Sequence, residues 1–149
     1  MSENNRSQIK ITAEEFRYIA LLNEYTNVFV RDCIVDEENN RIIYLVNPTD
    51  IAKAIGPKGI YVQKLRNLLN KDIEIIGYSE KLEEQAKYAL APAKVKEVKL
   101  ANKPSGRKII YVIVEPKDKG LAIGRNGRNV SRAKLVLKRY FNIDDVIII

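Results

Sequence analysis

The sequence predicts an α+β fold of two tandem units, each ordered helix–strand–strand–helix–helix–strand with a three-stranded sheet. Three observations lead to this prediction. The chain contains an internal repeat at an offset of 68 residues. Each copy of the repeat follows two runs rich in β-branched residues, and each is followed by apolar residues at helical spacing.

The repeat is clearest in two short windows. Residues 48–56 read PTDIAKAIG and residues 116–124 read PKDKGLAIG, with five identities at one offset. Gly59 and Gly127 match at the same offset. So many coincidences in short windows indicate that one structural unit occurs twice.

Four strand-like runs form two hairpins ahead of the repeated windows. They cover residues 27–35, 42–46, 95–100 and 109–114. Polar turns at 36–40 and 102–107 separate the members of each pair, as in a β-hairpin. A short apolar run closes each unit, at residues 73–77 and 145–149, so each unit has three predicted strands.

Two helices are predicted after each hairpin, a short one and a longer one on either side of a glycine pair. The short helices cover residues 49–55 and 117–123, and the longer ones cover 60–70 and 128–141. The second long helix is about one turn longer than the first. The apolar positions of the long helices are Val62, Leu65, Leu68 and Leu69 in the first and Val130, Ala133, Val136, Leu137 and Tyr140 in the second.

A further helix precedes each hairpin. Residues 12–25 begin with Thr12 as the predicted N-cap and have Glu15 three residues later, which is a capping-box pattern. The apolar face of this helix is predicted to hold Phe16, Ile19, Ala20 and Leu22. Residues 79–90 form the corresponding helix of the second half, with Ser79 as the predicted N-cap.

The two units are predicted to span residues 12–78 and 79–149, after a disordered N-terminal lead at residues 1–11. The lead is polar and lacks a signal-peptide core, and no apolar run is long enough to cross a membrane. A cytoplasmic location is therefore expected. The joint between the last strand of the first unit and Ser79 is very short, which predicts a rigid tandem.

The composition argues against an enzyme. The 149 residues include no histidine and one cysteine, Cys33, so the usual zinc ligands and nucleophile–histidine pairs are missing. Carboxylates cluster in a hairpin turn at 36–38 and before the last strand at 144–145, where ordinary loop chemistry accounts for them. No P-loop or dinucleotide-binding motif occurs. We expect no cofactor, no metal and no small-molecule substrate.

The charge of the chain is concentrated in its second half. Residues 1–78 carry 10 basic and 11 acidic side chains, or −1, and residues 79–149 carry 16 and 8, or +8. The formal net charge is +7. A positive field confined to one half favours a polyanionic partner such as nucleic acid.

Each repeat contains a Gly-x-x-Gly loop between a short and a long helix. The loops are Gly56, Pro57, Lys58, Gly59 and Gly124, Arg125, Asn126, Gly127. Glycines permit a tight turn and close approach of a ligand, and the first N–H groups of the following helix suit a phosphate. A plain helix–helix turn is the alternative for one loop alone, but two equivalent loops that each include a cation favour a binding role.

This arrangement resembles the KH domain, and the leading helix and hairpin resemble its type II form. Two such units in one short chain are similar to the archaeal NusA-like transcription factors over residues 12–149. The resemblance implies binding of single-stranded RNA, with each loop clamping the phosphate backbone. It further implies that Ile55 and Ile123 lie at the floor of a groove that receives the bases.

Nearby cations complete the candidate RNA contacts. Arg128 and Arg132 lie four residues apart on one predicted helix face, and this like-charge pair is unfavourable unless a phosphate backbone neutralises it. Lys53 lies beside the first loop, near Lys58. The second copy is expected to bind RNA more strongly, and the first either binds weakly or orients the second. A basic face that is merely solvated is the alternative.

By resemblance, the predicted function is binding of single-stranded RNA, the nascent transcript, in transcription elongation or termination. The resemblance also implies RNA polymerase as a second partner, and no membrane is expected. Three alternatives remain open from the residues: a KH adaptor of ribosome assembly, a protein-interaction scaffold with little RNA affinity, and binding of single-stranded DNA.

Overall fold

The structure is a computed structural model that describes residues 10–149. Residues 1–9 of the predicted disordered lead lie outside the described residues. The chain divides into two compact units, whose described parts are residues 10–78 and 79–149. Each unit has the order helix–strand–strand–helix–helix–strand and its own three-stranded sheet, which confirms the predicted fold class.

The first unit contains three helices and three strands. In chain order they are α1 (Ala13–Thr26), β1 (Val30–Asp36), β2 (Arg41–Val46), α2 (Ile51–Ile55), α3 (Ile60–Leu69) and β3 (Asp72–Gly77). β2 is the central strand, antiparallel to β1 and parallel to β3. Parallel pairing requires a crossover, and the segment from α2 to α3 provides it.

The second unit repeats this plan. Its elements are α4 (Leu82–Leu90), β4 (Val95–Asn102), β5 (Lys108–Val114), α5 (Lys119–Ile123), α6 (Arg128–Phe141) and β6 (Asp145–Ile148). β5 is the central strand, antiparallel to β4 and parallel to β6. α6 has 14 residues and α3 has 10, so the predicted extra turn of the second long helix is confirmed.

The core of the first unit forms around β2, which is buried at all six positions. Leu22 of α1 and Leu65 of α3 pack into the same cluster and are 0% exposed. Burying a leucine side chain contributes roughly 1.5–3 kcal/mol. The Tyr44 hydroxyl donates to the Tyr18 carbonyl oxygen at 2.8 Å, so β2 is also tied to α1 by a hydrogen bond. Cys33 is buried in β1 as a small core residue.

The predicted capping box of α1 is present, but its predicted apolar face is wrong in part. The Thr12 hydroxyl accepts the Glu15 N–H at 3.1 Å, and the Glu15 carboxylate accepts the Thr12 N–H at 2.9 Å. Phe16 is 66% exposed and Ala20 is also exposed. Glu15 and Leu22 are seven residues apart, so they lie on the same face of α1, and both are buried. Phe16 lies off this buried face and points toward water. Leu68 of α3 is likewise exposed, at 58%.

Ser79 does not cap α4, contrary to the prediction. The helix begins at Leu82, and its N-cap residue Lys81 makes no side-chain capping bond. The Ser79 hydroxyl instead accepts the Lys81 N–H at 3.1 Å, and the Ser79 N–H donates to the buried side-chain oxygen of Gln85 at 2.8 Å. Ser79 therefore lies in a turn before α4, and its main chain is held by the hydrogen bond to Gln85 within the helix.

The hairpin turn between β1 and β2 contains a buried ion-pair network. Arg41 is 0% exposed, and its guanidinium contacts the carboxylates of Asp36 at 2.7 Å and Glu74 at 3.2 Å. Burial alone raises the pKa of Asp36, but hydrogen bonds from Arg41 and Asn39 outweigh burial and hold that pKa below its ordinary value. Asp36 therefore serves as the anchor of this turn.

Candidate nucleic-acid interface

The two Gly-x-x-Gly loops have the same backbone conformation. Gly56 has φ 84° and ψ 165°, and Gly124 has φ 79° and ψ 169°. Lys58 and Asn126 are both left-handed, at φ 54° and 56°. Gly59 and Gly127 follow at φ 72° and 74°. Three of the four residues in each loop thus have positive φ, so the chain builds one unusual turn twice from different side chains.

The first glycine of each loop is required by both conformation and space. A Cβ on Gly124 would lie 2.9 Å from the backbone nitrogen of Asn129, and a Cβ on Gly56 would lie 2.9 Å from the Ile60 side chain and would also meet the Tyr61 ring. The second glycines differ, because a Cβ on Gly59 meets nothing within 4 Å. The space in front of the second glycine is therefore open to a ligand.

The middle of each loop presents an exposed polar side chain. Lys58 and Asn126 are both exposed, and each holds a left-handed conformation that is uncommon for residues other than glycine. Asparagine adopts it readily, whereas for lysine it costs about 1 kcal/mol or more. Strain of this kind at an exposed residue is typical of functional loops.

Each loop leads directly into the N-terminus of a helix. The N-cap residues of α3 and α6 are Gly59 and Gly127, and neither helix has a side-chain capping bond or an acidic residue in its first turn. The first N–H groups of a helix lack intrahelical acceptors and carry the positive end of its dipole. Each loop therefore offers hydrogen-bond donors and positive potential, which suit a phosphate.

A bracing residue behind each loop was missed by the sequence analysis. The Asn129 side-chain amide donates to the Leu121 carbonyl oxygen at 2.8 Å, and its Cγ would lie 2.9 Å from a Cβ on Gly124. Tyr61 occupies the corresponding position behind Gly56. The signal in the sequence is weak, because Tyr61 and Asn129 share only their distance from the preceding glycine.

The predicted loop residues lie together in each unit. The exposed members are Lys53, Pro57, Lys58, Arg125 and Asn126, and the partly buried members are Ile55, Gly56, Gly59, Gly124, Gly127 and Arg128. Ile123 is 36% exposed. Two further apolar side chains border the loops without having been predicted, Ile60 at 43% and Leu121 at 45% exposure. Each loop is thus flanked by apolar surface as well as by cations.

Arg132 is a correction to the predicted RNA contacts. It is 7% exposed, and its guanidinium donates to the carbonyl oxygens of Ala89 at 2.9 Å and Ala91 at 3.0 Å. These carbonyls lie at the C-terminal end of α4, where a cation is favoured by the helix dipole. Arg132 therefore holds α6 against α4 and does not form an exposed stripe with Arg128.

Neither a metal cluster nor a membrane-spanning helix is found in the part of the chain that the structure describes. Among residues 10–149, no group of three or more His, Cys, Asp or Glu side chains could hold a metal ion. Over the same residues, no helix is both long and apolar enough to cross a membrane.

The carboxylate of Asp144 accepts hydrogen bonds from the Lys108 N–H and the Lys138 ammonium, both at 2.8 Å.

The fold and the paired loops define a protein of tandem KH domains. Residues 16–103 match the family model described as "KH domain", and residues 82–148 match the model described as "NusA-like second KH domain". The chain belongs to the NusA-like family of KH-domain proteins.

Relatives cover almost the whole chain. "Probable transcription termination protein NusA" of Halococcus morrhuae is 32% identical over 139 residues, or 93% of this chain and 97% of the relative. The protein of the same name from Methanocaldococcus jannaschii is 27% identical over 96% of this chain and 76% of the relative. The crystal structure of APE1850 is 41% identical, with a TM-score of 0.86, over 93% of this chain and all of that one.

Proposed function

We propose that this protein binds single-stranded RNA and holds its phosphate backbone with the loops at 56–59 and 124–127. The observation that carries the proposal is the shared backbone conformation of the two loops, each of which ends in an uncapped helix N-terminus. A KH loop of this kind clamps about four nucleotides of backbone. The same geometry built twice from different side chains indicates that the backbone shape is what the function requires.

Charge supports a phosphate ligand at both loops. Lys53 and Lys58 are exposed beside the first loop, and Arg125 is exposed within the second. Arg128 begins α6 directly after the second loop. Arginine is well suited to phosphate because its planar guanidinium donates two parallel hydrogen bonds.

Apolar surface beside the loops supports contact with bases. Ile55 and Ile60 flank the first loop, and Leu121 and Ile123 flank the second. Ile60 and Leu121 are more than 40% exposed, so a base placed against either would bury apolar area that now faces water. Bases of a single strand are free to lie on such surfaces, whereas those of a duplex are not.

We also infer that the RNA is a nascent transcript and that the protein acts in transcription elongation or termination, with RNA polymerase as a second partner. The support is the family membership and the name of the relatives, "Probable transcription termination protein NusA", one of which is matched over 97% of its length.

Binding of a 20-nucleotide oligouridylate across a salt series tests the RNA-binding proposal. The wild type is expected to bind with an affinity that falls as salt rises. Arg125→Asp/Asn126→Asp is expected to abolish binding, because two carboxylates then face the phosphate. Pro57→Asp/Lys58→Asp is the matched variant in the first loop, and we expect it to weaken binding less.

Aspartate is suited to this test because it leaves the fold intact. It tolerates the left-handed conformation of Lys58 and Asn126, and a carboxylate at a helix N-terminus is stabilising. Unchanged circular dichroism and unfolding midpoints would establish that lost binding reflects the loop. Equal RNA affinity of the wild type and both variants would overturn the clamp, and absence of RNA binding by the wild type would leave a protein-interaction scaffold as the better account.

In vitro transcription with RNA polymerase from the organism that encodes this protein tests the transcription proposal separately. The wild type is expected to change the fraction of transcripts that end at a terminator, and Arg125→Asp/Asn126→Asp is expected to lose that effect. If the protein binds RNA but leaves elongation and termination unchanged, the transcription role is wrong and RNA binding stands.

A further inference from the structure

The sheet of the second unit has an exposed face that the loops do not use. Ile110, Val112 and Val114 of β5 point to one face and are at most 4% exposed. Tyr111 and Ile113 alternate with them, so they lie on the opposite face, where they are partly exposed.

Two lysines flank Tyr111 on this face. Lys99 of β4 is directly opposite Tyr111 in the strand register, and residues paired in this way lie on the same face with their Cβ atoms about 5 Å apart. The Lys103 ammonium donates to the Tyr111 hydroxyl at 3.3 Å and lies 5.7 Å from the centre of its ring. We name Lys99, Lys103 and Tyr111 the Lys–Tyr surface.

Both lysines of the Lys–Tyr surface lie in a strongly basic segment of the chain. Residues 94–108 carry six basic side chains and one acidic one, or +5. Both lysines are exposed, and among the described residues no carboxylate forms an ion pair with either within 4.0 Å. Lys96, which does pair with Glu115 at 3.3 Å, lies outside this surface.

The corresponding positions of the first unit have a different character. There the hairpin at residues 29–40 carries one basic and four acidic side chains, or −3. Ile34 and Ile43 are paired at the positions that Lys99 and Tyr111 hold in the second unit, and both are buried. Two copies of one fold thus differ by eight charges at the hairpin and exchange an apolar pair for a lysine–tyrosine pair.

Protection of an edge strand is the alternative explanation for lysines on β4, because charges at a sheet edge prevent pairing with other strands. β1 is the corresponding edge strand, and the charges beside it that are not buried are the partly exposed Arg31 and the exposed Glu37 and Glu38. Edge protection therefore does not require two lysines beside a tyrosine. It also gives no role to the partly exposed ring of Tyr111 between the two lysines.

We propose that the Lys–Tyr surface is a second RNA contact, at which Lys99 and Lys103 neutralise phosphates and a base stacks on Tyr111. This inference rests on the proposed RNA binding, because it extends the same ligand beyond the second loop. Cations beside an aromatic ring are the combination with which proteins hold single strands without reading their sequence. An acidic polypeptide would use the charges but has no bases to stack on the ring.

The test uses the full chain and a 20-nucleotide oligouridylate. Lys99→Gln/Lys103→Gln is expected to lower the slope of log affinity against log salt by about 1.4, since each phosphate contact on a single strand contributes about 0.7. Affinity at 0.1 M salt should then fall on the order of tenfold or more. Lys81→Gln/Lys87→Gln removes two exposed charges of the same unit, one at the N-cap of α4 and one within α4, and is expected to leave the slope unchanged.

Tyr111→Leu separates stacking from charge. It is expected to weaken binding about fivefold or more, because a stacked base is lost, while the salt slope stays that of the wild type. The same substitution would leave affinity unchanged if the ring had no contact with RNA, and that result would overturn the stacking part.

Three outcomes distinguish the inference from the proposed function. If Lys99→Gln/Lys103→Gln binds RNA like the wild type while Arg125→Asp/Asn126→Asp does not bind, the Lys–Tyr surface is not an RNA contact and the loop clamp stands. If RNA binding is unchanged but binding of poly-L-glutamate is lost, the surface takes an acidic polypeptide and the inference is overturned. If the wild type does not bind RNA, the proposed function fails and the inference fails with it.

Discussion

The two glycines of the second loop have different structural requirements. Gly124 lies at φ 79° and ψ 169°, a region that is essentially reserved for glycine, with the Asn129 backbone in the way of a Cβ. Gly127 lies in the left-handed helical region at φ 74° and ψ 17°, where only the Val130 side chain is near, at 3.8 Å.

We therefore expect Gly124→Ala to destabilise the protein by roughly 1–3 kcal/mol from conformation alone, plus the cost of displacing Asn129. Gly127→Ala should cost about 1 kcal/mol and should chiefly obstruct the ligand. Denaturant unfolding and RNA binding of the two variants give the comparison. Equal destabilisation would contradict the assigned contacts.

Arg132 and Lys64 occupy equivalent positions in α6 and α3, but Arg132 is buried and Lys64 is exposed. The Arg132 guanidinium donates to the Ala89 and Ala91 carbonyl oxygens. For each of these charged hydrogen bonds that is lost, Arg132→Met is expected to lower the free energy of unfolding by roughly 1.5–3 kcal/mol. Lys64 is exposed, so Lys64→Met should change stability by less than about 0.5 kcal/mol. Thermal unfolding checks both, and an RNA affinity per folded molecule that drops in Arg132→Met would restore its predicted role as a contact.

The loop residues were predictable from sequence, whereas their supports were not. The glycine pairs and their cations stand at a fixed offset of 68 residues, so repetition identifies them without coordinates. Arg132 has the same spacing from Arg128 whether it faces water or the end of α4. Burial against a distant carbonyl depends on packing that a local pattern does not contain.

The elements show the same division between local and tertiary information. The start of α1 was predicted correctly because the capping box is a local interaction between Thr12 and Glu15. The apolar face was not, because Phe16, Ile19 and Leu22 satisfy helical spacing even though Phe16 is exposed. For α4, the interaction of Ser79 with the buried Gln85 replaced the expected cap.

The turn between β1 and β2 predicts a pH dependence of stability. The Asp36 pKa is lower in the folded protein than its ordinary value near 4. Such a group binds fewer protons when folded, so its contribution to stability is complete above about pH 4 and is lost as the pH falls through its folded pKa. We expect the free energy of unfolding to decrease in acid partly for this reason.

Asp36→Asn isolates that contribution. At pH 7 the variant should be less stable by roughly 3 kcal/mol, because the buried Arg41 loses its nearest carboxylate. The difference between wild type and variant should shrink below about pH 4, as measured by denaturant unfolding at several pH values. A difference that stays constant from pH 7 to pH 3 would show that Asp36 does not titrate with folding.

At the scale of the whole molecule, the charge of the two halves predicts unequal contributions to RNA binding. Residues 1–78 carry −1 and residues 79–149 carry +8, so phosphates near the second loop lie in the stronger positive field. Arg125→Gln/Arg128→Gln should lower the salt slope by about 1.4. Lys53→Gln/Lys58→Gln removes the same charge beside the first loop and should lower it less. Equal slopes for the two pairs would mean that both loops hold phosphate equally.

The fold could be predicted from the sequence because the duplication presents the pattern of each helix and strand twice. The order of helices and strands, the three-stranded sheets and the longer α6 all follow from comparing the halves. The use of each sheet face did not follow, since Lys99 and Ile34 both fit a strand. Only the register shows that they occupy the same place with opposite character.

The two loops also differ in chemical durability. Asn126 precedes Gly127, and an asparagine followed by glycine is the pair in which the next main-chain nitrogen most readily attacks the side-chain amide and releases ammonia. In the folded loop the Gly127 N–H donates to the Gly124 carbonyl oxygen at 3.1 Å, which restrains that nitrogen. Once the restraint is broken, deamidation places a carboxylate in the second loop, whereas Lys58 in the first cannot undergo this reaction. If the second loop binds phosphate as proposed, we expect aged protein to bind it more weakly there, while the first loop stays unchanged.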